Sequence, residues 1–362
     1  VFVAWRDLKF AKGRFALMGA VIVLISLLVG LLSGLTTGLG RQNTSAITSL
    51  PADRIAFRAP GGGQNLSYSD STVTERQWRQ WSTAPGVERA EPLGITATKA
   101  TAGDRRTGIS VFGVRPGSRL APDGSRIDDE SVVLSRGAAD GLAAEAGDLL
   151  TLAGQRVEVA AVRGDAYFSH TPVVWTSLDT WRKTAPPTGS GTGPAATVIA
   201  LDTTSGADVA ATDRQAGTRT VTTGDSLSAI GSYTSENGSL QLMRGFLFAI
   251  SALVIGAFFT VWTIQRSGDV AVLKALGAST AGLLKDALGQ AVVLLAGGTL
   301  LGTGTAAALG ALIDGSAVPF LLTPATVLLP GAVMIALGAL GAVLSIRRIT
   351  SVDPLTALGS AR

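Results

Sequence analysis

The apolar residues of this chain are gathered into four long blocks, and that distribution limits its folds more than any other feature of the sequence. One block lies at residues 14–40 and three follow at 241–265, 287–313 and 324–346, with a long polar stretch at 41–240 between the first and the second. Each is long enough to cross a bilayer as a helix, which takes about 20 predominantly apolar residues. Only 15% of the residues are charged, against 46% hydrophobic, and soluble domains carry roughly 25% charged residues. The expected architecture is a membrane protein with four transmembrane α-helices, one plus three, and a large extracytoplasmic α+β domain inserted between the first and second.

Charge placement orients this arrangement. Arg6, Lys9, Lys12 and Arg14 precede the first block, Arg266 follows the second, and Arg347 and Arg348 follow the fourth. Basic residues favour the cytoplasmic side, so both ends are expected in the cytoplasm of a cell (plasma) membrane protein, with 41–240 outside. The first block exceeds the roughly 7–15 apolar residues of a signal peptide, and an uncleaved span is expected. Residues 1–13 place Phe2, Trp5, Leu8 and Phe10 among charges, the pattern of an amphipathic helix on the membrane surface. A cytoplasmic segment at 266–286, a short outer loop at 314–323 and a cytoplasmic tail at 347–362 complete the layout. The net charge of +4 sits beside apolar blocks, in contact with membrane lipid, and forms no stripe with interleaved aromatics, which argues against nucleic acid. Gly289, Gly297, Gly298, Gly302, Gly304 and Gly310, with Gly331, Gly338 and Gly341, permit close helix contact.

Within 41–240, short β-type runs recur at 93–98, 108–114, 131–134, 149–152, 156–162 and 197–201, helical patterns fit 74–82 and 138–145, and turn signals mark 59–63 and 185–194. With no cysteine in the chain, disulfides, thiolate metal sites and a cysteine nucleophile are excluded. His170 is the single histidine; in the run Tyr167-Phe168-Ser169-His170-Thr171-Pro172 it reads as a surface or loop residue. Asp128, Asp129 and Glu130 read as a solvated loop, and no acidic cluster has catalytic or metal-site spacing. No lysine ends a Gly-x-x-x-x-Gly-Lys-Ser/Thr run, so ATP chemistry is expected on another polypeptide.

Residues 230–243 lead into the second block. If the helix extends outward through them, Glu236 and Met243 lie two turns apart on one face, near Tyr233 and Arg244. A carboxylate and a thioether can each approach haem iron, and a guanidinium suits a carboxylate bidentately. The plainer readings are a helix-start acid for Glu236, a packing residue for Met243 and a lipid-phosphate contact for Arg244. After the second block, Val270, Leu273, Ala275, Leu276 and Leu283 give the pattern of a short amphipathic helix that Gly277 is suited to end.

Three segments carry a family resemblance over nearly the whole chain. Val270-Ala271-Val272-Leu273-Lys274-Ala275-Leu276-Gly277-Ala278-Ser279 resembles the coupling segment of the MacB/FtsX-type ABC permeases. Arg347-Arg348-Ile349-Thr350-Ser351-Val352-Asp353-Pro354-Leu355-Thr356-Ala357-Leu358 is similar to that family's C-terminal signature, and Val132-Val133-Leu134-Ser135 with Ala146-Gly147-Asp148-Leu149-Leu150-Thr151-Leu152 to its outer core. The resemblance implies a permease without a catalytic site, acting as a homodimer with two copies of a separate cytoplasmic ABC ATPase that binds the ATP. Coupling would pass through Val270, Leu273, Lys274, Leu276 and Gly277. Residues 230–243, with Phe246-Leu247-Phe248 and Phe258 to Gln265, look like the HrtB-type haem-efflux permeases of Gram-positive bacteria, although the DevC-type glycolipid exporters share much of this region. That likeness implies haem as substrate, with its iron held by Glu236 or Met243 and no permanently bound cofactor. The alternatives are export of another amphipathic molecule (lipid, peptide or drug) and FtsX-like mechanotransmission without transport.

Overall fold

The computed structural model describes residues 12–185, 195–265, 279–313 and 318–350, with Gly268, Val272 and Gly277. In chain order its helices are α1 (Lys12–Thr48), α2 (Glu75–Ser82), α3 (Arg136–Leu142), α4 (Leu178–Thr184), α5 (Val209–Ala216), α6 (Tyr233–Gln265), α7 (Thr280–Ile313) and α8 (Pro324–Thr350). The strands are β1 (Arg54–Arg58), β2 (Val87–Ala102), β3 (Arg105–Val114), β4 (Ser131–Leu134), β5 (Leu149–Leu152), β6 (Gln155–Val162), β7 (Tyr167–Phe168), β8 (Thr171–Ser177), β9 (Val198–Thr203) and β10 (Thr218–Thr222). The chain divides into a unit within Val1–Gly38 and Ser239–Arg362 and a second unit, Leu39–Gly238. The expected amphipathic helix at 1–13 and the tail beyond residue 350 lie outside the described residues, apart from Lys12 and Gly13 at the start of α1.

The chain has four helices long and apolar enough to cross a membrane among the described residues, with spans at Ala16–Thr48, Tyr233–Val261, Leu288–Ile313 and Pro324–Gly341. The first unit holds most of each, the second unit taking the end of the first span and the start of the second. Among the described residues the first unit's interior is small: Met18, Ile22 and Val29 of α1, Ile255 and Phe259 of α6, Ala291 and Leu295 of α7 and Met334 of α8. Leu242, Phe246 and Leu253 of α6 and Leu300 and Leu312 of α7 stay exposed, as suits helices solvated by lipid tails instead of water. Close approach replaces burial as the packing device. A side chain at Gly302 would run into the α1 backbone at Val23, and one at Gly310 into the Phe320 ring, whereas at Gly289, Gly297 and Gly304 it would meet nothing within 4 Å among the described residues. The close contact that the glycines of α7 permit is therefore made at some of these positions, and not at others among the described residues.

The second unit is a mixed α+β domain. Its strands run in the order β10-β1-β9-β2-β3-β8-β4-β6-β5, with β5 also pairing β2, so that β2, β3, β8, β4, β6 and β5 close into a ring. Most pairings are antiparallel; β3 with β8 and β4 with β6 are parallel. Two apolar clusters cover opposite strand faces, as the two-residue period of a strand requires. Along β1, Ile55 and Phe57 join one cluster and Ala56 the other. Most runs expected at 93–98, 108–114, 131–134, 149–152, 156–162 and 197–201 fall inside β2, β3, β4, β5, β6 and β9, except Thr197, which lies just before β9. The helix expected at 138–145 begins earlier and stops at Leu142, because Ala143 turns left-handed with φ 48°. The helix expected at 74–82 is α2, with Thr74 as its cap: the Thr74 hydroxyl accepts from Gln77 N–H, and the Gln77 side chain accepts in return from the Thr74 N–H. Such reciprocal capping satisfies two otherwise unpaired donors.

Trp181 of α4 fixes that helix to the sheet. Its indole N–H donates to Thr96 Oγ1 at 2.8 Å, and its side chain packs on Gly94 through the ring and on Gly113 through Cβ and the ring, two glycines that face each other across β2 and β3. A methyl group at either glycine has no room. Gly94→Ala or Gly113→Ala is expected to destabilise the inserted domain by about 1–3 kcal/mol through overpacking, read as an earlier tryptophan-fluorescence transition in denaturant.

Tyr68 lies inside the domain, edge-on to Phe57 and Phe168, with its hydroxyl donating to Ser226 Oγ at 2.9 Å. Burial pushes the phenol above its ordinary value, against the smaller opposing effect of the Ser226 bond. The folded domain therefore holds this proton more tightly than the unfolded chain does. Stability is constant below the ordinary tyrosine value near 10 and falls as pH climbs past it. The expected result is a denaturation midpoint that drops above about pH 10, and drops less in Tyr68→Phe.

Candidate functional site

Strands β7 and β8 pair through Phe168 and Thr171, which leaves Ser169 and His170 as a two-residue hairpin turn. Both carry positive φ, 48° and 64°, a conformation that glycine or asparagine usually supplies. Non-glycine residues held there store about 1–3 kcal/mol each and persist only where the surroundings over-determine them. The surroundings here are the end of α1. The Ser169 N–H donates to Asn43 O and the His170 N–H to Gln42 O, each at 3.0 Å. Two residues before Ser169, the Tyr167 N–H donates to Ser45 Oγ at 2.8 Å.

This placement aims the imidazole at the first turn of α6. His170 Nε2 lies 2.7 Å from Glu236 Oε2 and donates to it. Asn43 Nδ2 donates to the same oxygen at 2.9 Å and reaches Ser232 Oγ at 3.4 Å. The Asn43 side chain is buried, 2% exposed, and its Oδ1 has no partner among the described residues. His170 and Glu236 remain partly open, at 32% and 40% of their side-chain surface. The outcome is a carboxylate anchored through one oxygen by two donors from separate parts of the chain, on a side chain that stays partly exposed.

The neighbouring groups carry charge of both signs. Arg41 pairs with Asp165 at 3.3 Å, both partly exposed, a contact worth at most about 1 kcal/mol at a surface. Burial, followed by the Asp165 and Asp140 carboxylates, raises the Tyr167 phenol above its ordinary value. Arg41, Ser45, Arg119, Leu120, Asp165 and Trp175 line a cleft of about 670 Å³ beside the turn.

The residues expected from the sequence are thus distributed over several places. Glu236 sits in the cluster. Tyr233 is partly buried against the apolar core of the inserted domain, so its ring serves packing. Met243 and Arg244 lie further along α6 in the membrane unit; Met243 is 48% exposed, and Arg244 Nε is buried without a hydrogen-bond partner among the described residues. Val270, Leu273, Lys274 and Leu276 lie outside the described residues, while Gly277 has φ 93°, the left-handed conformation that ends a helix. His170, expected as a surface or loop residue, occupies a turn but is partnered. Its contact, with those of Asn43 and Ser232, joins segments far apart in sequence that no local pattern connects. The one local signal is the pairing of a lone histidine with a proline two residues on in a short β hairpin.

Two family profiles match: a MacB-like periplasmic core domain over residues 15–219 and an FtsX-like permease C-terminal region over residues 242–354. A protein of Staphylococcus haemolyticus that carries the name hemin transport system permease HrtB is 25% identical over 99% of both chains. An uncharacterized ABC transporter permease of Mycobacterium tuberculosis is 24% identical, again over 99% of both. The crystal structure of the periplasmic region of MacB from Actinobacillus actinomycetemcomitans matches 49% of this chain and 92% of its own at 12% identity, with a TM-score of 0.35. The two profiles between them cover most of the chain, in the order that the one-plus-three helix layout requires, and the chain belongs to the MacB/FtsX-type permeases of ABC transporters.

Proposed function

We propose that this permease exports haem, or an amphipathic molecule closely similar to it, from the membrane at the expense of ATP hydrolysed by a separate cytoplasmic ATPase. The observation that carries the reading is the end-to-end likeness to HrtB-named permeases, joined to the chemistry at the start of α6. Glu236 offers a partly open carboxylate, Met243 an exposed thioether and Arg244 a guanidinium whose Nε is unpartnered among the described residues. In this reading Glu236 or Met243 approaches the iron and Arg244 a propionate. Two permeases form a homodimer that presents each group twice about its axis, and two ATPase copies drive it through Val270, Leu273, Lys274, Leu276 and Gly277. The inserted domain lies outside and both ends inside, as the basic residues beside the spans favour.

Titrating haem into the purified permease and ATPase complex in nanodiscs is expected to give a saturable Soret shift. Glu236→Ala or Met243→Ala is expected to move the band and weaken binding. Unchanged spectra in both variants remove these residues as ligands. A wild-type complex without saturable binding turns the reading toward another amphiphile or toward transmission of force to an outer partner.

Orientation is testable because the chain has no cysteine of its own. On intact cells a membrane-impermeant maleimide is expected to label Ser205→Cys in the inserted domain and to leave Ser279→Cys, between the second and third spans, unlabelled until the cells are opened. The reverse pattern inverts the topology.

A further inference from the structure

The Glu236 carboxylate is held more firmly than a helix-start acid needs. Such an acid already gains from the helix dipole without any side-chain partner. Here two further donors converge on one of its oxygens: His170 Nε2 at 2.7 Å and Asn43 Nδ2 at 2.9 Å. The Asn43 amide also reaches the Ser232 hydroxyl, at 3.4 Å. The donors come from the end of α1 and from the β7–β8 turn, and the imidazole reaches its place only because Ser169 and His170 accept positive φ. Strain maintained at a turn, with both turn N–H groups tied to α1 carbonyls, points to a conformation worth its cost.

Resting on the reading that Glu236 meets the substrate, we propose that His170 and Asn43 are positioning residues: they occupy Oε2, fix the rotamer of Glu236 and leave its other oxygen for the metal centre of the substrate. Three physical consequences support that role. A glutamate in a first helical turn gives up about 1–2 kcal/mol of side-chain freedom when a ligand immobilises it, and donors that hold it beforehand remove that loss from binding. A carboxylate that ligates a metal is oriented and tuned by its own hydrogen-bond partners, whose removal typically costs 10–100-fold in metal affinity. His170 engages Glu236 through Nε2, so while that bond stands the same nitrogen is not an iron ligand; the histidine acts through the carboxylate. Asn43, whose buried Oδ1 has no partner among the described residues, donates from a buried position.

The test uses the complete permease and ATPase complex in nanodiscs, with haem as the probe and the Soret and visible bands as readout. His170→Asn keeps the turn, since asparagine tolerates positive φ, but its amide is too short to reach Oε2. His170→Gln places an amide N–H close to the position of Nε2. The expected result is a 10–100-fold loss of haem affinity with altered visible bands in His170→Asn, and recovery to within a few-fold of wild type in His170→Gln. Combining His170→Asn with Glu236→Gln is expected to cost no more than Glu236→Gln alone, a non-additivity that marks action through the carboxylate. A purely structural role predicts additive losses and no change in the bands. If wild type binds haem saturably while His170→Asn matches it in affinity and spectrum, or adds fully to Glu236→Gln, the positioning role is overturned and haem export stands. If wild type binds no haem, both fall together.

Discussion

Lipid offers a backbone no hydrogen bonds, and that single deficit arranges the molecule. Each crossing has to satisfy its own N–H and C=O groups, so α1, α6, α7 and α8 run through the apolar blocks as continuous helices. With no water to escape, their leucines gain nothing by facing inward, and fit decides which faces meet. Gly302 against the backbone of α1 and Gly310 against Phe320 are examples. In the inserted domain the rule changes with the solvent. Burial drives folding there, and successive residues of β1 go to two different apolar clusters because a strand must fill both faces.

The parts of the fold legible in the sequence are those with strong local periodicity. The four spans announce themselves by length and hydropathy, and β4 and β5 coincide with the short apolar runs that mark them. β1 and β10 do not stand out, since Arg54–Arg58 has only three apolar residues between two arginines and Thr218–Thr222 only one, and pairing gives them a place, β10 against β1 and β1 also against β9. The end of α1 was hidden for a related reason. Arg41, Gln42, Asn43 and Thr44 are polar enough to read as the start of a loop, yet the helix continues to Thr48. That polar extension is what supplies the Asn43 amide and the carbonyls that receive the hairpin turn.

The candidate site divides along the same line. Glu236 was legible because its position ahead of an apolar span is a local fact. Its partners were not, because the His170 and Asn43 contacts cross wide separations in sequence and depend on a turn of unusual backbone conformation. A sequence reading values a lone histidine by its neighbours in the chain, and Phe168, Ser169, Thr171 and Pro172 hold nothing that titrates. Only the closure of the hairpin over α1 reveals that its side chain has a carboxylate to hold.

One strand of the inserted domain belongs to two structures at once. The first part of β2 pairs with β9, its second part with β3, and its last residues with β5, which closes the ring. A domain made of two sheets joined by a loop has a seam along which it can fold open. Here the seam is bridged by a continuous beam, Val87–Ala102, and bending there would break ladder bonds on both sides of it. The two halves of the domain are therefore tied through one uninterrupted strand, and neither can swing away from the other without giving up pairing that β2 makes with β9 or with β3.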